Sequence, residues 1–242
     1  MITTRYKVTG PKLKAAVVAD LHGEPTAELY KALQEEKPDV ILIPGDLTTI
    51  GIDDYKHIDP EKLRKRAEGK ERAIGFLKAA VDIAPTFYSR GNHEWGIDDE
   101  YRDKVKSTGA VLLENEWMKF GDAWIGGQNS AKRYGLEELT DEKKEPDTQW
   151  LKNSPEGYKI LLCHHPEYYD FVKDHSDLVI AGHAHGAHWR LFGRGIFAPG
   201  QGFLPRYSKG MYEKMIISAG LTNTTWIPRI NNPTELVIVE ME

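Results

Sequence analysis

Short apolar runs alternate with longer helical patterns along the chain. Residues 14–20 (KAAVVAD) and 39–46 (DVILIPGD) are apolar runs that end in polar residues, which is typical of buried strands. Between them, residues 25–37 (PTAELYKALQEEK) have the period of a helix, with Pro25 at its first position. The pattern predicts a βαβ unit whose functional loops lie at the carboxyl ends of the strands.

The alternation continues through the rest of the chain. A charged helical pattern covers residues 60–81, and further strands are predicted within residues 84–94, 109–116, 122–128, 158–166 and 176–185. From Trp189 onward the strand candidates come as hairpins, within residues 188–199, 214–220 and 235–242, and these predict a second and more antiparallel sheet. This alternation of predicted strands and helices predicts an α/β fold.

Length and composition narrow the class of protein. With 242 residues, of which 40% are hydrophobic and 29% charged, the chain is expected to form a single globular domain spanning residues 1–242. There is no apolar run of membrane length and no secretory signal pattern, so we expect a cytoplasmic protein without a membrane span. The single cysteine, Cys163, excludes an internal disulfide and is expected to be a buried hydrophobe. The net charge of −5 disfavours a general nucleic-acid binder.

Polar residues follow the predicted strands in five separate segments. They are Asp20 and His22, Asp46, Asn92 and His93, His164, and His183 with His185. Each segment alone has an ordinary alternative, because Gly-Asp is a common turn and Asp-x-His is a common surface pattern. Five such segments at strand ends make coincidence improbable. Together they supply the shared carboxylate, the imidazoles and the carbonyl oxygens that a pair of metal ions requires in order to hydrolyse phosphate esters.

These motifs resemble those of the calcineurin-like metallophosphoesterase superfamily. The matching stretches are DLH (20–22), GD (45–46), GNHE (91–94), His164 and GHAH (182–185). The resemblance covers nearly the whole chain. It implies a four-layer α/β/β/α sandwich in which two mixed sheets face each other, with a dinuclear metal site at the carboxyl ends of the strands.

The resemblance also implies a role for each motif residue. Asp20, His22 and His185 would bind the first metal, and Asn92, His164 and His183 would bind the second, with Asp46 bridging the two ions. The implied ions are manganese, iron or zinc, with manganese favoured. The implied reaction is phosphoester hydrolysis by in-line attack of a metal-bridging hydroxide, in which His93 assists the leaving group.

Two neighbours of the motif residues have open roles. In CHHP (163–166), the resemblance selects His164 as the ligand, and we expect His165 to lie on the opposite side of the strand. Glu94 either orients His93 or is a solvated loop carboxylate.

The branch of the superfamily follows from other stretches. GDLTTIG (45–51) lacks the arginine of protein serine/threonine phosphatases, which disfavours that branch. Carboxyl-terminal stretches, such as SKGMY (208–212), are similar to the bacterial YkuE-like phosphodiesterase branch, whose relatives include UDP-diacylglucosamine hydrolases. We therefore expect a phosphodiesterase acting on a small or amphiphilic phosphoester. The alternatives are a phosphomonoesterase, a small nuclease of the same superfamily and a non-enzymatic metal-binding scaffold.

Residues 188–214 are rich in arginine, lysine and aromatic side chains beside the last motif. Such a segment is able to hold an anionic substrate by charge and its organic part by apolar contact. We name Arg206 and Tyr207, together with Arg90, as candidate substrate contacts. The alternative is that the aromatic side chains fill the core and the basic ones are solvated. His57, His175 and His188 are interpreted as surface or structural histidines.

Overall fold

Two six-stranded sheets form the frame of the protein. The computed structural model describes residues 1–50, 59–131, 145–198, 201–223 and 228–242. In chain order the described strands are β1 (Ile2–Val8), β2 (Leu13–Val17), β3 (Val40–Ile43), β4 (Thr86–Ser89), β5 (Val111–Leu113), β6 (Glu116–Phe120), β7 (Ala123–Gln128), β8 (Tyr158–Cys163), β9 (Leu178–Ala181), β10 (Arg190–Leu191), β11 (Arg194–Gly195), β12 (Phe197–Ala198), β13 (Gly202–Phe203), β14 (Gly210–Tyr212), β15 (Met215–Ile217) and β16 (Glu235–Met241).

Helices connect and cover the sheets. The described α-helices are α1 (Ala27–Glu36), α2 (Pro60–Ile83), α3 (Asp99–Ser107) and α4 (Tyr169–Val172). Single turns of 3₁₀ helix cover Asn92–Glu94, Gln149–Asn153, Pro166–Tyr168, Lys173–His175 and His185–Ala187.

Both sheets are mixed. The first sheet has the order β1-β16-β2-β3-β4-β5, in which β2 to β5 are parallel neighbours and β16 runs antiparallel to β2. The second has the order β14-β15-β9-β8-β7-β6, with a parallel centre from β15 to β7 and an antiparallel strand at each edge. The strands that carry the predicted motifs, β2, β3, β4, β8 and β9, are therefore all in parallel parts of the sheets.

Three apolar cores separate four layers. One core lies between the sheets, where residues such as Val17 and Leu42 of the first sheet meet Ile160 and Ile180 of the second. A second core packs the outer face of the first sheet against α1, α2 and α3. A third covers the outer face of the second sheet with α4 and short helical turns, so this fourth layer is thin. The predicted α/β/β/α sandwich is confirmed.

Local signals explain the helix bounds. The Thr26 side chain accepts a hydrogen bond from the Leu29 N–H at 3.2 Å, so α1 begins at Ala27. The prediction that Pro25 is the first helical residue is therefore wrong, because this cap lies after the proline. The Asp59 side chain accepts a hydrogen bond from the Glu61 N–H at 3.0 Å and thereby caps α2. Pro60 occupies the first helical position, where a backbone N–H would have no partner within the helix.

The strands after Trp189 are not a separate antiparallel sheet, so that prediction is wrong. The hairpins β10–β11 and β12–β13 are two-residue ladders outside both sheets, whereas β15 joins the second sheet and β16 the first. The reason lies in the side chains of β16. Leu236 and Ile238 pack into the helix-covered core, and Val237 and Val239 into the core between the sheets. A strand that is apolar on both faces requires a position inside a covered sheet.

Among the helices formed by the described residues, none has the length and apolar character needed to cross a membrane.

Candidate metal centre

Polar side chains from five loops meet where the parallel strands of both sheets end. We call this group the His/Asp centre, and its eight members are Asp20 and His22 after β2, Asp46 after β3, Asn92 and His93 after β4, His164 after β8, and His183 and His185 after β9. All eight side chains are buried. The structure thus brings together every motif residue that the sequence singled out.

Three of these residues form a first group. Asp20, His22 and His185 each offer one ligand atom, and the three atoms lie within 4.8 Å of one another. The Nε2 atom of His185 is 3.8 Å from Oδ1 of Asp20. This group has the same members as the first ligand set inferred from the sequence.

A second group lies beside the first. Asp46, His164 and His183 also offer ligand atoms within 4.8 Å of one another. Oδ1 of Asn92 is 3.1 Å from Nε2 of His164, so the amide belongs to the same group.

Asp46 lies between the two groups. Its Oδ2 atom is 3.1 Å from Nε2 of His164 in the second group and 3.7 Å from Nε2 of His22 in the first. One carboxylate oxygen therefore faces both groups, which is the position that the bridging role inferred from the sequence requires.

Much of the backbone around the centre is left-handed. Positive φ angles occur at Asp20 (53°), His22 (49°), Asp46 (53°), His183 (65°) and His185 (45°). Residues other than glycine adopt this region at a cost of about 1–3 kcal/mol each, and such residues cluster at functional sites. Five of the seven inferred ligands thus have a strained backbone, in a conformation that turns their side chains inward.

Two glycines allow the loops to approach each other closely. A Cβ atom on Gly91 would lie 2.1 Å from Oδ1 of Asp46, and one on Gly220 would lie 2.8 Å from Oδ2 of Asp20. Gly220 also has a φ of 73°. Gly91 belongs to the GNHE motif, whereas Gly220 lies outside the motifs.

The centre contains buried polar atoms that the described residues leave without a hydrogen-bond partner. They are Oδ2 of Asp20, both ring nitrogens of His22, Nδ1 of His164 and Nε2 of His183. Burying a polar or charged atom without a partner costs free energy. Divalent cations with oxygen and nitrogen preference would satisfy these atoms, so the residues present fit a pair of metal ions.

The protonation of three of the histidines also suits metal binding, whereas, against the effect of burial, the Asp46 charge raises the pKa of His164 to about 9. Burial lowers the pKa of His185, and burial together with a neighbouring histidine holds the pKa values of His22 and His183 well below the usual value, so these rings are neutral near pH 7. Although burial opposes ionisation, His164 and His93 hold the pKa of the Asp46 carboxyl well below its usual range. Neutral imidazoles and an ionised carboxylate are the forms that bind cations.

His93 lies beside both groups with a defined orientation. Its Nδ1 atom is 2.9 Å from the Thr49 hydroxyl, and its Nε2 atom is 3.8 Å from Oδ2 of Asp46. Burial lowers the pKa of His93 to about 4, although the Asp46 charge opposes this shift. The ring is therefore neutral near pH 7, and in the tautomer with its proton on Nε2 the Thr49 hydroxyl donates to Nδ1 while the ring N–H faces the centre.

The structure overturns one of the two roles considered for Glu94. Its side chain is fully buried, so the solvated alternative is wrong. Its carboxylate accepts hydrogen bonds from the N–H groups of Asp46 (3.0 Å), Thr48 (2.9 Å) and Gly91 (2.8 Å). Glu94 therefore joins the loops after β3 and β4, which carry Asp46 and His93. Burial and the Asp46 charge raise the pKa of Glu94 to about 7.

His165 does not lie on the opposite side of the strand, so that expectation is wrong. Because β8 ends at Cys163, the strand alternation no longer applies at His165, and its ring centroid is 4.2 Å from that of His183. Its Nε2 atom is 2.6 Å from the Ser130 hydroxyl. His165, Glu167 and His183 also offer ligand atoms within 4.8 Å of one another.

The carboxyl-terminal loop supports His185. Arg229 places Nη2 3.3 Å from Nδ1 of His185 and donates from Nη1 to the Ala219 carbonyl at 2.7 Å. The Asn232 amide donates to the His185 carbonyl at 2.7 Å. Sequence reasoning missed Arg229 and Asn232, because they follow the last motif by more than 40 positions and carry no spacing signal.

The candidate substrate residues lie in different surroundings. Arg90 is paired with Glu114 at 3.0 Å. Arg206 is exposed, lies 4.7 Å above the ring centroid of the buried Tyr207 and pairs with Asp170 at 3.3 Å. Arg90 and Arg206 thus form ion pairs within the protein, and Tyr207 is buried against Arg206.

Several apolar side chains of the basic and aromatic segment are exposed. Phe192 is 96% exposed, Phe203 80% and Leu204 79%, so the alternative in which the aromatic residues of this segment fill the core is wrong for both phenylalanines. His188 is a buried structural histidine whose ring stacks 5.8 Å from that of His185. His175 is half-buried, and His57 lies outside the described residues.

The family follows from the sequence as a whole. Residues 13–187, which contain all eight members of the His/Asp centre, match the model of the calcineurin-like phosphoesterase family. The chain belongs to the calcineurin-like phosphoesterase family. Its members are metal-dependent phosphoesterases that use two ions, and the groups around Asp46 are suited to hold them.

The solved structures to which the chain is similar are distant in sequence. A metallophosphoesterase from Sphaerobacter thermophilus is 13% identical, with 72% of this chain and 61% of that chain covered and a TM-score of 0.34. The Pseudomonas putida nuclease MPE is also 13% identical, with 88% and 78% covered and a TM-score of 0.31. Another solved structure is 11% identical, with 72% and 84% covered and a TM-score of 0.49. A search of curated proteins gave no match.

Proposed function

We propose that the His/Asp centre holds two divalent metal ions and hydrolyses phosphodiesters. Asp20, His22 and His185 would hold one ion, with Asn92, His164 and His183 holding the other and Asp46 shared between them. The observation that carries the proposal is the pair of buried ligand groups that share Oδ2 of Asp46 and contain polar atoms without a partner among the described residues.

The catalytic role of His93 follows from its orientation. When bound, two such ions make water nucleophilic at neutral pH and neutralise charge on the phosphorus oxygens. With its proton on Nε2, which faces the Asp46 carboxylate at 3.8 Å, the neutral His93 ring would accept from the Thr49 hydroxyl at Nδ1 and present an N–H to the centre. That proton is placed to stabilise or neutralise the leaving oxygen.

The assignments of the substrate class, the branch of the superfamily and the metal ion rest on the sequence. The similarity of the carboxyl-terminal stretches to the YkuE-like branch supports diester substrates and membership of that branch. The donor set has carboxylate, amide and imidazole groups and no thiolate, which fits manganese, iron or zinc, and among these we favour manganese on the resemblance alone.

The test compares bis(p-nitrophenyl) phosphate with p-nitrophenyl phosphate as substrates. Metal-stripped protein is resupplied separately with manganese, zinc, iron(II) or magnesium, and bound ions are counted by elemental analysis. We expect two bound ions, a preference for the diester and restoration of activity by manganese. Preference for the monoester would make the protein a phosphomonoesterase, and failure to bind any ion would overturn the proposed centre.

The matched control is His93→Asn. This variant is expected to retain two ions and to lose roughly 10²- to 10⁴-fold in kcat, because only proton donation to the leaving group is removed. Full activity of His93→Asn would remove His93 from the mechanism.

A further inference from the structure

A cleft of about 240 Å³ lies directly beside the His/Asp centre. One wall consists of His22, Thr48 and Thr49, and the other of Lys62, Lys65 and Arg66 from the start of α2. We call it the cationic cleft. It shares His22 with the first ligand group, so it continues the proposed active site on one side.

The basic residues face the cleft because of their helical spacing. Positions 62, 65 and 66 are related as i, i+3 and i+4, which places them on one face of α2. Lys65 also pairs with the exposed Glu61 at 2.8 Å. Lys62 and Arg66 line the same cleft one helical turn apart, and we choose this pair for the test.

The position of α2 against the centre is fixed by contact between two backbones. Gly23, whose φ is 71°, lies so close to α2 that a Cβ atom would be 2.5 Å from the Gly69 carbonyl oxygen. Arg72 of α2 donates from Nε to the Gly23 carbonyl at 2.6 Å. Because Gly23 directly follows His22, these contacts hold the basic face of α2 at a set distance from the centre.

The opposite wall offers a hydroxyl group suited to bind an anion. Thr48 is 1% exposed, and within the described chain its Oγ1 atom has no hydrogen-bond partner. A buried hydroxyl without a partner is a donor available to a ligand. The cleft thus combines cations on one side with a buried donor on the other.

We propose that the cationic cleft binds a second phosphoryl group of the substrate, close to the one that is hydrolysed. This inference rests on the proposed function, because the cleft is assigned to the substrate of the His/Asp centre. Lysine and arginine with a hydroxyl donor are the groups that bind phosphate in proteins. The substrate class is therefore a small phosphoester that carries a further phosphate, and Lys62 and Arg66 determine this specificity.

A pair of matched esters tests the proposal. Thymidine 5′-(p-nitrophenyl phosphate) and its 3′-phosphorylated form have the same leaving group and differ by one phosphate. We expect the 3′-phosphorylated ester to have at least about a tenfold higher kcat/KM with the protein, since charge-assisted contacts to one phosphate supply that factor. The ratio of the two kcat/KM values is expected to fall to about 1 in a Lys62→Ala/Arg66→Ala double variant and below 1 in Lys62→Glu.

Arg64→Ala is the matched control. Arg64 lies on the same helix, is exposed and pairs with Glu68 at 2.7 Å. Removing it also makes α2 less positive, but it leaves the residues that line the cleft unchanged. The ratio is expected to remain at the wild-type value in Arg64→Ala. Equal kcat/KM values for the two esters in the wild-type protein, or an advantage that survives in the double variant, would overturn the proposal.

A binding measurement separates this proposal from the proposed function. Calorimetric titration of His93→Asn protein with thymidine 3′,5′-bisphosphate and with thymidine 5′-phosphate requires no turnover. We expect the bisphosphate to bind at least about tenfold more tightly, and this difference to disappear when Lys62→Ala and Arg66→Ala are added. Selective binding without hydrolysis of any ester would contradict the proposed function alone, whereas hydrolysis with equal binding of both nucleotides would contradict the cleft alone.

Discussion

At the scale of single residues, the orientation of His93 depends on Thr49. The hydroxyl of Thr49 lies 2.9 Å from Nδ1 and, as a donor to that atom, would keep the ring proton on Nε2. Thr49 thus acts through His93 and is a positioning residue.

Replacing Thr49 by valine tests this dependence. We expect Thr49→Val to lower kcat about tenfold, the equivalent of one hydrogen bond, while KM and the count of bound ions stay unchanged. Thr49→Ser keeps the hydroxyl and is expected to restore most of the rate. Steady-state kinetics of both variants checks the prediction, and equal rates for valine and serine would contradict it.

The sequence identified the members of the His/Asp centre better than the residues that support them. Asp20, His183 and their fellow motif residues were predictable because they follow apolar runs at short, regular spacings. Thr49, Glu94 and Arg229 were not, because their partners are brought close only by the packing of distant loops. A buried glutamate that accepts three backbone N–H groups has the same appearance in a sequence as a surface glutamate.

At the scale of elements, a charged cluster ties α1 to the first sheet. Glu36, at the end of α1, contacts Arg5 of β1 at 2.6 Å and Lys14 of β2 at 2.9 Å. The hydrogen bond from Arg5 and the charge of Lys14 lower the pKa of Glu36 to about 2. A carboxyl with a lowered pKa in the folded state adds stability above its unfolded pKa of about 4.3 and loses it as the pH falls toward 2.

This cluster predicts a pH-dependent effect of Glu36→Gln. At pH 7 the variant is expected to be less stable by roughly 0.5–1 kcal/mol, which is typical of a partly exposed ion pair. The difference from wild type is expected to shrink below about pH 4.3 and to vanish near pH 2. Urea unfolding across this range measures it, and a difference that does not change with pH would exclude the charge effect.

The pairing of elements was harder to predict than their existence. The strand β16 was expected from its apolar residues, but its place between β1 and β2 depends on partners more than 200 positions away. The strand β1 was not predicted, because it lies at the edge of the sheet and lacks the apolar run by which the other strands were recognised. An apolar run identifies a buried strand, and only the complete fold selects its neighbours.

At the scale of the whole molecule, the ligand groups link the two sheets. Asp20 and Asp46 follow strands of the first sheet, and His164, His183 and His185 follow strands of the second. Ions bound at the proposed centre would therefore hold both halves of the sandwich together, and they would bind only the folded state.

Metal removal is accordingly expected to lower the melting temperature. An ion present at 100 times its Kd adds about 2.7 kcal/mol, which corresponds to roughly 5–10 °C for a protein of this size. Asp46→Asn is expected to lose most of this ion-dependent increase together with its activity. Thermal unfolding with and without the activating ion checks both points, and an Asp46→Asn protein with two ions and full activity would contradict the shared role of Asp46.

The place of β16 has a consequence for the order of folding. Since β16 lies between β1 and β2, the first sheet is split into an isolated edge strand and a four-stranded remainder until residues 235–241 are available. During synthesis, β1 therefore remains unpaired in the first sheet until its neighbour β16 has been made. The amino-terminal segment is exposed over that interval, and we expect the nascent protein to depend on chaperones until the late strand inserts.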